Sequence, residues 1–253
     1  MLVNPIVLRS GPLLTKFCEH GERGRVSYTR PRFISPGLPM SVMSDSSETH
    51  VRLVRHGEVA AAHHGTFYGG AEVPLSAAGQ DASLRLATRL AEQDPPDWVA
   101  SSPLSRALAV AEPLAAALGV EVRVDEGFRE LDRGDWTHMH RDAVEAAYPG
   151  AIARYLADPD KGAAPGGETE AAFSRRVWGA MDRLVAAAAG RKVVLLSHGH
   201  VIRVILRRIQ GIDPVQSLQH FVPYHGVVDT AMGPDGSGRL LTLPPSVIPE
   251  ALR

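Results

Sequence analysis

Val51-Arg52-Leu53-Val54-Arg55-His56-Gly57-Glu58 begins as one kind of segment and ends as another. Its apolar and β-branched residues read as a buried strand. The run then stops abruptly on an arginine, a histidine and a glycine. In an open α/β sheet, ligands bind just beyond the carboxyl ends of the strands. Arg55 and His56 are therefore predicted at the mouth of a site, with Gly57 letting the backbone turn tightly. Taken alone, the stretch is also compatible with a strand that ends on a charged turn.

Working outward, strand and helix patterns alternate from Thr49 onward. A polar, Gly-rich loop spans 60–74. Ser76 is a suitable N-cap for a helix running to about Gln93. Asp97 to Ser101 reads as a second strand, followed by a helix with Ser102 as N-cap and Pro103 as its first residue. That helix ends near Gly119, and Pro113 inside it is expected to kink or divide it. Val120–Val124 is a third strand. Short helices are predicted over Arg141–Tyr148 and Ala151–Leu156, and a long one over Glu168–Ala189. Lys192–Leu196 carries four consecutive large aliphatics, the mark of a central strand covered on both faces. It ends in Ser197-His198-Gly199-His200, before a helix over Val201–Ile209. Weak strands over Gly226–Thr230 and Arg239–Leu243 close the chain. The alternation predicts an α/β fold, a three-layer αβα sandwich around a mainly parallel sheet, over about 48–245. Residues 246–253 are a tail.

The chain has 253 residues, of which 44% are apolar and 22% charged, an ordinary globular composition. A formal net charge of -1 offers no basic field to recruit nucleic acid. The single cysteine, Cys18, excludes an intrachain disulfide and any multi-cysteine metal site. No apolar run approaches the roughly 18 residues that span a bilayer. The expectation is a soluble, cytoplasmic protein with no membrane partner. Residues 1–47, rich in Gly, Pro and Ser with scattered arginines, read as a disordered extension or an artefact of start-codon choice, since Met40 and Met43 stand just before the domain. Nothing in the sequence sets an oligomeric state.

In a parallel sheet the four strand ends open on one edge. Arg55-His56, Arg106 in the first turn after strand two, Arg129-Glu130 after strand three, and Ser197-His198 after strand four then converge. Each residue alone has a plain structural explanation, but complementary groups at four strand ends do not arise independently. The set suits phosphoryl transfer. Guanidinium groups bind phosphate oxygens through paired, charge-assisted hydrogen bonds, and the helix start carrying Arg106 would add its dipole. A neutral imidazole is a competent nucleophile. A second imidazole, if protonated, stabilises the equatorial oxygens. A carboxylic acid protonates the departing alkoxide and then activates water. The scheme needs no metal and no organic cofactor.

These residues resemble the histidine phosphatase superfamily, with its phosphoglycerate mutase-like fold. Arg55-His56-Gly57-Glu58 is similar to its defining motif, and Ser101-Ser102-Pro103-Leu104-Ser105-Arg106-Ala107 to its second arginine motif. Phe128 to Trp136 resembles its acid-bearing segment and Leu195-Leu196-Ser197-His198-Gly199 its second histidine motif. Pro74-Leu75-Ser76-Ala77-Ala78-Gly79 and Pro165-Gly166-Gly167-Glu168-Thr169 match further landmarks in order, over roughly residues 50–230. The resemblance implies that His56 is phosphorylated during turnover, that Arg55, Arg106 and His198 bind phosphate, and that Glu130 donates the proton.

The family contains phosphatases and mutases. Where mutases carry an asparagine after the first motif and Arg-x-Gln-Gly before the Pro-Leu landmark, this chain has Ala62, and Thr66, Tyr68 and Gly69. The long mutase insertion after the acid segment is also missing. These departures favour a phosphomonoesterase acting on a small phosphorylated metabolite over a phosphomutase or a non-enzymatic phosphate-binding regulator. Thr137-His138 replaces the Glu-Gly common in small phosphatases. His63-His64 and His138-x-His140 lack the carboxylate or cysteine spacing of a metal site and read as substrate-lining or surface residues. His200 has no assigned role. Arg203, Arg207 and Arg208 are expected on a solvated helix face, and Trp98, Trp136 and Trp178 in the core or wall. The loop 60–74 and the segment 138–167 are expected to line the outer half of the pocket.

Overall fold

The computed structural model describes residues 48–218 and 220–242. These belong to the compact unit Met43–Arg253, and the unit Met1–Val42 lies wholly outside them. The extension through residue 47 and the tail 246–253 are likewise outside the described residues.

Six strands form one sheet: β1 (Thr49–Arg55), β2 (Trp98–Ser101), β3 (Val122–Val124), β4 (Lys192–Ser197), β5 (Val227–Met232) and β6 (Gly238–Leu240). Their order is β3-β2-β4-β1-β5-β6. β1, β2 and β3 run parallel to β4 or to its neighbour, whereas β5 and β6 are antiparallel additions at the edge. Seven helices accompany them among the described residues: α1 (Ala77–Gln93), α2 (Ser105–Leu118), α3 (Arg141–Ala147), α4 (Ala151–Ala157), α5 (Glu170–Ala188), α6 (Gly199–Gln210) and α7 (Pro214–Ser217).

The period of two in β4 explains the three layers. Val193 and Leu195 pack with residues of α5 and α6, such as Phe173, Met181 and Ile205. Val194 and Leu196 pack with residues of α1 and α2, such as Leu86, Leu90 and Leu114. β1 repeats the division, with Leu53 in the first core and Val54 in the second. Both faces of the central pair are therefore dry, which makes the aliphatic run of β4 necessary rather than incidental. A third, smaller cluster gathers Trp136, Val144, Ile152 and Tyr155 with Phe67 beside it.

Two helix starts that border the site lie elsewhere than predicted. The second helix starts at Ser105 rather than Pro103, with Leu104 as its N-cap, while Ser102 Oγ accepts from Leu104 N–H at 3.3 Å and also bonds to His198 Nε2 at 2.7 Å. The last long helix starts at Gly199, two residues before the predicted Val201, which makes His198 its N-cap. Pro113 lies within one uninterrupted helix. Ser76 caps α1 as expected, accepting from Gly79 N–H at 2.9 Å.

Candidate active site

The carboxyl ends of β1 and β4 are neighbours in register, Arg55 opposite Ser197. This brings the rings of His56 and His198 to 5.2 Å between centroids. Both are buried, at 1% and 0% exposure. His56 Nδ1 lies 2.7 Å from the Gly57 carbonyl oxygen. A carbonyl only accepts, so the proton sits on Nδ1 and the lone pair is on Nε2. Burial first, then the charges of Arg55 and Arg106, hold the His56 pKa well below its ordinary value, so the ring is neutral.

Gly57 follows His56 because of crowding. A Cβ there would stand 2.7 Å from His225 Nε2, 2.8 Å from Ser83 Oγ and 2.9 Å from the Gly79 carbonyl. Its φ is not in the positive region, so the expected tight turn is not its reason. His225 in turn donates its backbone N–H to the His56 carbonyl at 3.2 Å and bonds to Ser83 at 2.9 Å. The sequence offered no signal for this brace.

The stabilising role read for a second imidazole holds if His198 is protonated. Burial and the charges of Arg106, His56 and Arg55 instead hold its pKa well below the ordinary value, so it is neutral in the free site. Ser102 Oγ accepts from Leu104 N–H at 3.3 Å and stands 2.7 Å from His198 Nε2, placed to donate its proton to the lone pair of the ring. In the tautomer where Ser102 donates, His198 Nδ1 carries the hydrogen, and that atom has no partner in the structure.

Arg106 is 1% exposed and grips the loop before α1, donating to the carbonyls of Gly69 at 2.6 Å and Ala71 at 2.7 Å. Gly69 lies at φ 41°, and a Cβ there would strike the Leu131 carbonyl, so only glycine fits. Arg55 donates to the Val222 carbonyl at 2.6 Å and stacks on Tyr224, 4.4 Å from its centroid. The dipole expected from the helix carrying Arg106 is taken by another group: Ser105 N–H donates to the Glu72 carboxylate at 3.3 Å. The helix end that opens on the site is that of α6, whose Gly199 would place a Cβ 3.4 Å from the Arg55 guanidinium.

Glu130 sits on that same helix end. His200 N–H donates to its Oε2 at 3.0 Å and Leu131 N–H to its Oε1 at 2.8 Å. Burial pushes the pKa of Glu130 up. His200, the two backbone N–H groups and Arg133 outweigh burial and hold it below the ordinary carboxylate value. Behind it lies a buried network. Glu170, 4% exposed, accepts from His200 Nε2 at 2.8 Å and from Arg207, which also donates to Ser174 at 3.1 Å. Burial raises the Glu170 pKa, but His200 and Arg207 bring it down to about 2. Burial chiefly lowers His200 to about 4.

A cavity of about 220 Å³ opens in front of Arg55 and Glu130. Its walls come from Thr66, Phe67, Tyr68 and Gly69, and from α6 and the segment around Phe221. The segment 138–167, expected to line it, does not contribute. The expectation of a solvated arginine face on α6 is also corrected: Arg203 lines the cavity, Arg207 is paired to buried Glu170, and only Arg208 is exposed, beside Trp178. His200 and Arg203 recur at helical spacing and line the cleft, while Arg207 one turn on meets Glu170 away from it. His63 and His138 rings lie 5.8 Å apart, and among the described residues no group of three His, Cys, Asp or Glu is arranged to hold a metal. His138 stands at φ 66° where small phosphatases carry glycine, a conformation that costs a non-glycine residue about 1–2 kcal/mol.

This arrangement of two buried imidazoles, two guanidiniums and a carboxylate at the edge of a parallel sheet is that of a phosphate-ester enzyme. Residues 51–241 match the sequence profile of the histidine phosphatase superfamily (branch 1), and the chain belongs to that family. It is 30% identical over 161 residues to phosphoserine phosphatase 1 of Hydrogenobacter thermophilus, covering 64% of this chain and 76% of that protein. It is 29% identical over 162 residues to a probable phosphoglycerate mutase of Salmonella paratyphi C, covering 64% and 75%. In fold it is similar to a mycobacterial glucosyl-3-phosphoglycerate phosphatase, with a TM-score of 0.70 at 24% identity over 78% of this chain and 99% of the other. A putative alpha-ribazole-5'-P phosphatase of Escherichia coli gives 0.69 at 24% identity over 79% and 98%. The expected phosphoglycerate mutase-like fold and the phosphomonoesterase class are thus borne out.

Proposed function

We propose that the chain hydrolyses a phosphate monoester of a small metabolite through a phosphohistidine at His56. The observation that carries this is the hydrogen bond from His56 Nδ1 to the Gly57 carbonyl, which leaves Nε2 bare beside Arg55, Arg106 and His198. Nε2 attacks phosphorus, and the P–Nε2 bond forms as the ester P–O bond breaks. Arg55, Arg106 and the His198 Nδ1–H bind the phosphoryl oxygens. Glu130 in its acid form gives its proton to the leaving oxygen. Water then attacks phosphorus, Glu130 takes its proton, and the P–N bond breaks to restore the free imidazole.

In the free site Glu130 is held ionised, so the acid must form with substrate bound. A phosphate dianion near the carboxylate opposes its charge and draws a proton to it. Turnover of an aryl phosphate, with the phosphoenzyme trapped under alkaline quench, tests the assignment: equal rates in wild type and His56→Ala would sink it. A mutase reading rests on relatives of similar identity that carry that name. It requires isomer formation from a phosphoglycerate with a bisphosphate primer, whereas the hydrolase releases inorganic phosphate without one. Support for the cytoplasm is compositional: one cysteine and, among the described residues, no helix long and apolar enough to cross a membrane. The near-neutral charge supports a small-molecule partner rather than nucleic acid.

A further inference from the structure

The proposed phosphoryl site uses Arg55 and Arg106, yet two more guanidiniums stand at the cavity that Arg55 lines. Arg203 and Arg133 both line it, together with Glu130. Arg203 lies four residues after Gly199 on α6, hence on the helix face that opens toward Arg55. Its Nε is buried without a partner. Arg133 is braced between aromatic rings, with its guanidinium 5.5 Å from the Phe67 centroid and 5.2 Å from that of Tyr155. Among the described residues neither arginine forms an ion pair. The nearby carboxylates are engaged elsewhere: Glu170 holds His200 and Arg207, and Glu168 holds Arg176. Two half-buried like charges with no carboxylate in ion-pair contact disfavour each other as well as their own burial, and Glu130 is the charge that offsets them in the free site. Glu130 is the only carboxylate among the residues lining this cavity, and it loses its charge whenever it carries the proton that the reaction needs.

We propose that Arg133 and Arg203 form a second anion subsite on the leaving-group side of the cavity, and that the substrate is a phosphate monoester whose alcohol portion bears a further negative group. This rests on the phosphomonoesterase reading. A carboxylate and a second phosphate share the needed chemistry, since both accept paired guanidinium hydrogen bonds. A cavity of about 220 Å³ suits a compact molecule in which the two anionic groups are a few bonds apart. The aromatic braces on Arg133 fix its position before the ligand arrives, which reduces the ordering cost of binding.

The test measures binding in the His56→Ala background, where turnover does not interfere. Calorimetry compares propyl phosphate, 3-phosphonooxypropanoate and propane-1,3-diyl bisphosphate. One of the two charged esters is expected to bind about tenfold or more tightly than propyl phosphate, and the better of the two identifies the second group. Arg133→Gln and, separately, Arg203→Met should each shrink that ratio severalfold, and added salt should shrink it too. If Arg203→Met does not fold, Arg133→Gln and the salt series carry the result. Equal affinity for all three esters, or a ratio untouched by Arg133→Gln, overturns the subsite. Hydrolysis by the wild-type enzyme is scored separately. Turnover without discrimination rejects the subsite alone, and absence of turnover with discrimination intact rejects the phosphatase reading alone.

Discussion

The two ends of the proposed site are built differently. At the phosphate end, His56, Arg55 and His198 sit at or just past the ends of two hydrogen-bonded parallel strands, braced by Ser102 and the segment 222–225. At the leaving-group end, Glu130, Arg133, His200 and Arg203 come from a loop after β3 and from one stripe of α6. The first end is fixed by sheet register. The second depends on how a loop meets a helix. The phosphate end is therefore where the common chemistry belongs, and the leaving-group end is where specificity can vary without disturbing it.

The largest test of this division is His56→Ala. Loss of the nucleophile is expected to lower kcat/KM by at least about a thousandfold on every ester, with no phosphoenzyme in intact-mass spectra. The loss should be the same whatever the leaving group. A loss that varied strongly between esters would mean that the phosphate end also sets specificity.

Glu130→Gln probes the other end, and its effect should depend on the leaving group. An alkyl phosphate is expected to lose about a hundredfold to ten-thousandfold in kcat, and an aryl phosphate with a good leaving group far less. The pH profile follows from the directions of the pKa shifts. His56 is held well below its ordinary value and stays neutral into acid, so the acid limb is displaced downward. Glu130 is ionised in the free site, so kcat/KM for the alkyl ester should fall as pH rises away from the carboxylate range. Substrate ionisation is common to both proteins, so the ratio of wild type to Glu130→Gln isolates the residue. A ratio independent of pH between about 4 and 8 would remove Glu130 as the acid.

The same contrast explains what was legible in the sequence. Strand ends announce themselves, because a β-branched run that stops on Arg55-His56 or Ser197-His198 is a local signal. The aliphatic run of β4 likewise predicted a strand covered on both faces. The stripe of α6 was misread because helical periodicity places Arg203 and Arg207 on one face without saying whether that face meets water or a cleft. Only the tertiary meeting with Glu170 and the cavity decides it. Ser102-Pro103 carried a real helix-start pattern, and Ser102 Oγ does accept from Leu104 N–H, but the same hydroxyl also meets His198, and no local rule sees a partner 96 residues away. The carbonyls of Gly69 and Ala71 that hold Arg106 were invisible for the same reason, since backbone acceptors leave no mark in side-chain identity.

Glu170→Ala asks whether the network behind the acid is a structural requirement of the leaving-group end. Removing the carboxylate leaves Arg207 and His200 without their buried partner, a change expected to cost about 3–5 kcal/mol of stability. The folded-state pKa of Glu170 is about 2, below the ordinary 4.5. Its contribution is therefore full above about 4.5 and is lost as pH falls toward 2. Urea midpoints measured across that window should fall steeply in wild type and more shallowly in the variant. Parallel slopes in the two proteins would show that Glu170 is not held ionised by folding.

The smallest expected effect tests the tautomer at the phosphate end. Ser102→Ala removes the hydroxyl placed to donate its proton to His198 Nε2, and the neutral ring is then free to carry its hydrogen on either nitrogen. When the hydrogen moves to Nε2, Nδ1 no longer donates toward the phosphoryl group. One hydrogen bond of about 1 kcal/mol is at stake, so kcat/KM should fall by about fivefold on alkyl and aryl esters alike. Ser102→Thr keeps the hydroxyl and should restore most of the rate. A merely structural serine would lower the melting temperature without moving kcat/KM, and Thr would then rescue nothing that the assay reads. The comparison of the two ends sharpens on this point: a defect shared by all leaving groups belongs to the sheet edge, even when it arises from a hydroxyl that touches no substrate.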